Sequence, residues 1–504
     1  GSDLCYCDLC KKEFNEYLKE KYNNDINKLN ETWGTIFWSQ TYNTFEEIPL
    51  PKPTITTHNP SLRMEHERFR SESIEKYAKF QVDLLKEILG KDSVIIHDFS
   101  GGYFDKSYDF SKVGKHMDVV AYNNYPVWGG QKEPIPAWEI ACGLDYMRGI
   151  KGQNFWITEA IMGAQGHDVI GYLPRPRQAK MWSYQGIAHG CSSLMYFRYR
   201  GATKGAEQYC YGIIDQDNVK RRKFYEVQSF FKEMKENEAL TQSEVKSDVA
   251  VVYDYESMAS FRIQRQSFLM DYKQEVYRLY RPFYKKNINM DVIPSDSDFD
   301  KYKVLLLPVM IVHKKEVQDK VRKFVSGGGT VVFTYRTAVK DYYNNLTLGQ
   351  FNPTYYTDLV GGYVEEVESF QDDQVAFLIG NEEFEGINGT ATVFRDMLKT
   401  TTAKTLFKYE DEFFEDLAAV TLNEYEGGKV YYIGSGADNT IMDAITNKII
   451  NESNLDAIES EEGVEVVRRS LNNEDYYFVM NHTSDEKKFR NEILKAYESK
   501  IVKA

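Results

Sequence analysis

From Arg63 to Leu89 apolar side chains return every three or four residues, placing Phe69, Ile74, Tyr77, Leu84, Leu85 and Ile88 near one side of a predicted helix that Gly90 ends. Then the period changes. Short, almost wholly apolar runs follow at "SVIIHDF" (93–99), "DVVAYNNYP" (118–126), "NFWITEA" (154–160) and "SSLMYFRYR" (192–200), separated by helical patterns around Trp138–Met147 and Gln178–Ala188 and closed by one near Lys223–Glu236. Apolar strands alternating with helices predict a parallel sheet covered on both faces. The polar residues of these runs gather at their C-terminal ends: His97, Asp98, Asn123, Asn124, Glu159, Arg198 and Arg200. In a β/α barrel that rim carries the chemistry. Four strand–helix units are legible where a closed barrel needs eight, so the expectation is a barrel whose N-terminal strands precede residue 1.

The composition shifts near "LTQSEVKSD" (240–248), and a second alternating series begins: "VAVVYDY" (249–255), a helix near Asp271–Lys285, "YKVLLLPVM" (302–310), a helix near Lys315–Val325 and "GGGTVVFTY" (327–335). This predicts a doubly wound α/β domain. Gly327–Gly329 precede a strand rather than a helix, so they read as a helix cap and turn, not as a phosphate loop. Residues 341–426 look irregular. A strand at "GKVYYIGSG" (428–436) follows, and "VEVVRRSLNNEDYYFVMNHT" (464–483) alternates across a polar turn as a hairpin of a small β domain. The expected division is 1–240 for the barrel, 246–447 for the α/β domain and 460–504 for the β domain.

Charge and composition narrow the partners. A net charge of −14 disfavours nucleic acid and anionic membrane surfaces, which attract excess Lys and Arg. No run of 18 apolar residues offers a membrane span, and no basic-then-apolar signal pattern opens the chain. Six cysteines in 504 residues form no disulfide scaffold, and the expected compartment is the cytoplasm. Three of them, Cys5, Cys7 and Cys10, crowd into "CYCDLC". They read either as ligands of a structural zinc, which takes four, or as free thiols in a loop.

Glu159 ends an apolar strand, where a carboxylate does not fill a core. It reads either as a nucleophile able to bond to an anomeric carbon or as a rim salt bridge. Glu207, in "KGAEQYC" beyond the last strand, reads either as an acceptor of sugar hydroxyls or as a solvated loop acid. Tyr122 and Tyr125, with Asn123 and Asn124, are either sugar-facing or packing residues. For His189, His97 and His116, packing or helix-end hydrogen bonding is the expected role. A catalytic metal is not expected.

Taken together, "CYCDLC", "LNETWGTIFWSQTY", "NPSLRMEHERF", "NFWITEA", "AHGCSSLMYFRYRGATKGAEQY" and "VVFTYRTAV" resemble a β-galactosidase of glycoside hydrolase family 42 over nearly the whole chain. The resemblance implies a (β/α)8 barrel, an amidotransferase-like trimerisation domain and a C-terminal β domain. It further implies a retaining mechanism on terminal β-D-galactosides or galacto-oligosaccharides, a homotrimer and a structural zinc. By position, Glu159 matches the nucleophile, Glu207 the glutamate that holds galactose hydroxyls, Tyr125 (or else Tyr122) the tyrosine beside the nucleophile, and Cys5, Cys7 and Cys10 three of four zinc ligands. The family's fourth cysteine and its acid/base glutamate, in an Asn-Glu pair, belong ahead of Cys5, where only Gly1–Leu4 stand. The expectation is therefore a truncated or nicked chain, with a non-catalytic carbohydrate-binding fragment as the alternative. Two substrate-site positions depart from the family: His167 replaces a tryptophan and Cys210 a histidine. A thiol is a weaker hydrogen-bond partner than imidazole, so a related pyranoside such as an α-L-arabinopyranoside stands beside galactose. Amidotransferase chemistry in the second domain is excluded, since no cysteine follows Cys210.

Overall fold

The computed structural model describes residues 4–504. Helix α1 (Asp8–Lys21) starts at Cys7, whose sulfur accepts from the Cys10 amide, and α2 (Ile26–Trp33) is capped by Asp25. Phe14, Leu18, Leu29, Trp33, Phe45 and Ile48 close over one another as a small separate core. Asn59 caps α3 (Pro60–Leu89), whose Pro60 costs nothing in the first turn, where its missing N–H would have no helical partner. The early turns of α3 bury charge. Glu65 is fully buried, 2.6 Å from Lys21 Nζ and 3.1 Å from Arg68 Nη1, and Arg68 Nε reaches Glu256 Oε1 at 2.8 Å in the next domain.

The later turns of α3 correct the sequence reading. Tyr77, Leu84, Leu85 and Ile88 are exposed, and Val82 is the buried residue there. Periodicity shows which positions share a side of a helix. What lies against that side depends on tertiary neighbours, and here no described element covers it.

Strands β1 (Ile96–Phe99), β2 (Val119–Asn124), β3 (Phe155–Ile161) and β4 (Cys191–Phe197) form a parallel sheet in chain order. Helices α4 (Phe110–Gly114), α5 (Ala137–Lys151) and α6 (Gln178–Ala188) make the crossovers, and α7 (Arg222–Glu236) and α8 (Glu238–Gln242) follow β4. Gly186 of α6 lets the helix come down on Ile157, whose Cδ1 occupies the place of a Cβ.

The second domain opens with β5 (Val249–Tyr253), α9 (Tyr255–Ile263), α10 (Tyr272–Tyr284), β6 (Met290–Pro294), β7 (Val304–Leu307), α11 (Lys315–Ser326) and β8 (Thr330–Thr334). Its parallel strands run in the order β6-β5-β7-β8. Gly327–Gly329 turn the chain from α11 into β8, with amides bonded back to Lys323, Val325 and Phe324.

Residues 341–426 are not irregular. After α12 (Thr357–Val360) come β9 (Gly362–Ser369), β10 (Ala376–Gly380), β11 (Asn388–Thr400), β12 (Lys404–Tyr409) and β13 (Ala418–Tyr425). They pair antiparallel and join the parallel half through β14 (Gly428–Ile433), with β15 (Ser435–Ala437) at the far edge, making one sheet of eleven strands. Antiparallel strands tolerate a solvated face, so their acidic, Tyr-rich sequences lack the apolar runs of the parallel strands. On β9, which pairs only with β11, Glu365, Glu366 and Val367 are exposed on both faces. Helix α13 (Asn439–Glu452), capped by Asp438, closes the domain.

The last domain holds β16 (Val464–Leu471), β17 (Glu474–Asn481), β18 (Lys487–Phe489), β19 (Glu492–Leu494) and β20 (Ser499–Lys503). The expected hairpin turns at Asn472 and Asn473, with φ of 54° and 62°, the left-handed pair that a two-residue turn needs. One hydrophobic core runs through all three domains, from Phe99 and Ile157 through Val251 and Tyr277 to Phe478. At its polar seam His189, capping α6, places Nδ1 2.7 Å from Asp145 Oδ1 and Nε2 2.8 Å from Glu465 Oε1 of β16.

Candidate active site

The C-terminal ends of β1–β4 bring together residues that are far apart in the chain. Between β2 and β3 the register slips: Tyr122 faces Ile157 but Asn123 faces Glu159, leaving Thr158 as an extra residue on β3. Such a bulge re-aims side chains. In unbroken alternation Glu159 would share the face that Ile157 turns toward α6. Instead its Oε2 accepts a 2.6 Å hydrogen bond from the Tyr125 hydroxyl, while Thr158 Oγ1 donates to Asp98 Oδ1 at 2.6 Å. Partial burial holds the Glu159 carboxyl above its usual range. The Tyr125 bond opposes that shift, Asp98 and Glu207 add to it by repulsion, and Arg198 counters it.

Of the two candidate tyrosines, Tyr125 is the one bonded to Glu159. Burial and its bond to Glu159 hold its phenol protonated. Tyr122 is 6 % exposed and packs in the core. Tyr125→Phe is expected to lower kcat/KM about 10- to 100-fold and to move the acid limb of its pH profile upward, because the lost hydroxyl favoured ionised Glu159. A profile displaced to lower pH would contradict this role.

Glu207 faces the same space from the loop after β4. Arg198 Nη2 donates to its Oε2, and His167 Nε2 lies 3.6 Å from its Oε1. His167 stands edge-on to Trp128 at 5.5 Å, and Trp128 stands edge-on to Tyr125 at 4.8 Å. The tyrosine, tryptophan and histidine therefore form one continuous wall. The loops carrying this wall touch through backbone at Gly129 and Gly166, where an added Cβ would strike Val169. Cys210 lies behind Glu207 and His167: it is fully buried, its thiol 3.7 Å from the Gly166 carbonyl. A sugar contact from Cys210 was the expectation; the packing of its loop closes it off.

Sequence reasoning missed Trp128 and gave Arg198 and Asp98 no role. The tryptophan was legible as an aromatic in "YPVWGG", three residues beyond Tyr125. The Arg198–Glu207 pair had no signal, since eight residues lie between them.

At the start of α1, the sulfurs of Cys5, Cys7 and Cys10 all lie within 4.8 Å of one another, with Cys5 and Cys7 3.5 Å apart. A zinc ion about 2.3 Å from tetrahedral thiolates holds neighbouring sulfurs roughly 3.8 Å apart, so the triplet fits one face of such a site. The Cys10 amide, and then the Cys5 thiol, lower Cys7 to about 7, while the Cys5 thiol and burial push Cys10 up to about 12, so the support for a metal lies in the sulfur spacing. A cavity of about 1050 Å3 lies beside this triplet between α1 and α3 and does not include Glu159. Its size marks a groove between two helices; the convergent polar groups lie at the strand tips.

Three family models match in sequence order: "Beta-galactosidase" over residues 1–237, "Beta-galactosidase trimerisation domain" over 247–456 and "Beta-galactosidase C-terminal domain" over 463–504. The chain is 30 % identical over 493 residues to beta-galactosidase BgaA of Clostridium cellulovorans, covering 96 % of this chain and 73 % of that protein. It is 31 % identical over 483 residues to beta-galactosidase LacZ of Heyndrickxia coagulans, covering 95 % and 70 %. Among solved structures, a beta-galactosidase from Bacillus circulans sp. alkalophilus superposes with a TM-score of 0.91 at 27 % identity, over 99 % of this chain and 77 % of that one.

Proposed function

The chain belongs to the family 42 β-galactosidases, and from that premise we propose that Glu159 is its catalytic nucleophile. The protein is a retaining glycoside hydrolase that releases terminal β-D-galactose through a covalent glycosyl-enzyme. One observation carries the residue assignment: a half-buried carboxylate, turned inward by the β3 bulge and held at 2.6 Å by Tyr125. Tyr125 fixes one carboxylate oxygen, which leaves the other to attack the anomeric carbon from the face opposite the leaving oxygen. Glu207 accepts sugar hydroxyls, and the aromatic wall of Trp128 and Tyr125, with the His167 ring, meets the apolar face of the pyranose. Incubation with a 2-deoxy-2-fluoro-β-galactosyl trap and peptide mass spectrometry are expected to place the label on Glu159. A label on another side chain overturns the assignment.

Cys5, Cys7 and Cys10 hold a structural zinc with a fourth ligand from outside the triplet; the sulfur spacing supports this. Zinc would pin the N-terminus of α1 and take no part in the reaction. Cys7→Ser is expected to lower bound zinc and the thermal midpoint together, and an unchanged metal content refutes the site. The matched trimerisation domain supports a homotrimer. Six free cysteines support a reducing, cytoplasmic setting, and no helix among the described residues is long and apolar enough to cross a membrane.

A further inference from the structure

The backbone around Glu207 is held, its carbonyl accepting from the Cys210 amide at 3.0 Å and the Tyr211 amide donating to Ala164 at 3.1 Å, but the Glu207 carboxylate takes its hydrogen bond from Arg198. The segment between Arg198 and Ile214 carries glycines at Gly201 and Gly205, the latter at φ 90°, and Glu207 keeps 44 % of its side chain exposed. A sugar-binding carboxylate that wanders would lose orientation entropy each time it met a substrate. The loop's two ends are joined at Arg198: its carbonyl accepts from the Ile213 amide at 2.8 Å, and Gly212 packs directly on that carbonyl. The same residue's guanidinium then spans the loop to reach Glu207 Oε2. It lies 4.2 Å over the Phe197 ring, and Phe197 stands edge-on to Tyr125 at 6.4 Å, so the cation rests on a surface continuous with the aromatic wall.

We infer that Arg198 is a positioning residue of the galactoside site, clasping Glu207 by one oxygen so that its other oxygen faces the sugar hydroxyls. The inference rests on the assignment of Glu159 and Glu207 above. A charge-assisted bond to one oxygen fixes the plane of the carboxylate and leaves the second oxygen open on the side where His167 stands, 3.6 Å away. The clasp has a second effect through space. Arg198 favours the ionised form of Glu159, opposite to the repulsion that Glu207 exerts on that carboxylate. A lysine would preserve the charge but not the planar group that stacks on the Phe197 ring. The two contributions are therefore separable by substitution.

The test uses 2,4-dinitrophenyl β-D-galactoside, whose leaving group departs without a proton, so release reports attack and sugar binding. In Arg198→Gln, KM is expected to rise by about ten-fold or more, with the acid limb of kcat/KM displaced to higher pH. In Arg198→Lys, KM rises likewise while the acid limb stays at the parent position. A purely structural arginine would not divide its two effects in this way. In KM, the Arg198→Gln/Glu207→Gln double variant is expected to be no worse than Glu207→Gln alone, because for sugar binding both changes break one interaction. Effects that multiply would overturn the clasp, as would an Arg198→Lys enzyme with the parent KM. If Arg198→Gln does not fold, the Arg198→Lys comparison decides alone. Fluorosugar labelling separates the two readings: a parent enzyme labelled away from Glu159 removes the proposed function, whereas labelling at Glu159 with an unchanged KM in both arginine variants removes only this inference.

Discussion

Glu159→Gln is expected to lower kcat on an aryl β-galactoside by roughly 10^4-fold or more while the protein stays folded, because an amide cannot form the glycosyl ester. The amide keeps the shape of the carboxylate and still accepts from Tyr125, 2.6 Å away, so the pocket's packing survives. The stability change has a defined sign. Burial holds Glu159 above its usual range, so its ionised form costs the folded state stability at neutral pH, and that cost disappears as pH falls below the folded pKa. Removing the charge should leave the thermal midpoint at pH 7 unchanged or slightly raised. Glu159→Gly with sodium azide separates the nucleophile from any other acid. The small anion enters on the face the carboxylate vacates, and the product is the α-galactosyl azide. A β-azide, or parent-like turnover in the glutamine variant, would remove Glu159 from the nucleophile's place.

The second large effect lies at the seam between domains. Both ring nitrogens of His189 meet carboxylates, Asp145 at 2.7 Å and Glu465 at 2.8 Å, so both must donate and the ring is an imidazolium. Around it, Arg148 pairs with Asp145 at 2.8 Å, the Tyr280 hydroxyl donates to Asp145 at 2.6 Å, and Gln185 and His482 reach Glu465 at 2.9 and 2.7 Å. Burial opposes the charge on His189, but Asp145 and then Glu465 outweigh it and raise the ring to about 9. Burial likewise opposes ionised Glu465, which His189 and His482 bring down to about 2. The raised histidine contributes stability that is complete below its ordinary value near 6.5 and is lost as pH climbs through 9. The lowered glutamate contributes stability that is complete above about 4.5 and is lost as pH falls toward 2. The network is thus fully formed between about pH 4.5 and 6.5, and its histidine part weakens on the alkaline side. His189→Ala leaves two buried carboxylates short of a cation and is expected to cost about 3–5 kcal/mol. Chemical unfolding followed from pH 6 to 9.5 should show the parent losing stability while the variant's profile is flatter. Equal slopes would show that His189 is not charged in the folded protein.

The parallel elements were legible because burial on both faces writes itself as unbroken apolar runs. Phe155–Ile161 and Gln178–Ala188 coincide closely with their predicted segments. The antiparallel half of the central sheet was not, since β9, which pairs only with β11, leaves four consecutive residues, Glu365–Glu368, exposed on both faces. Glu159, Tyr125 and Glu207 were found through strand-end position and family motifs. His189 read as a helix-end residue, and its two carboxylate partners, 44 and 276 positions away, were beyond any local pattern. Arg198 was visible only as a rim cation. Distances through space decide such pairings, and spacing along the chain does not encode them.

The added residue at Thr158 works as a phase shift in a repeat of two. Upstream of it, the strand's odd positions belong to the helix layer; beyond it, the carboxylate has changed sides. Lengthening or shortening that strand by one residue would return Glu159 to the layer where Ile157 meets Gly186, however well the rest of the barrel folded. The strand's residue count therefore decides which side of the sheet the carboxylate occupies.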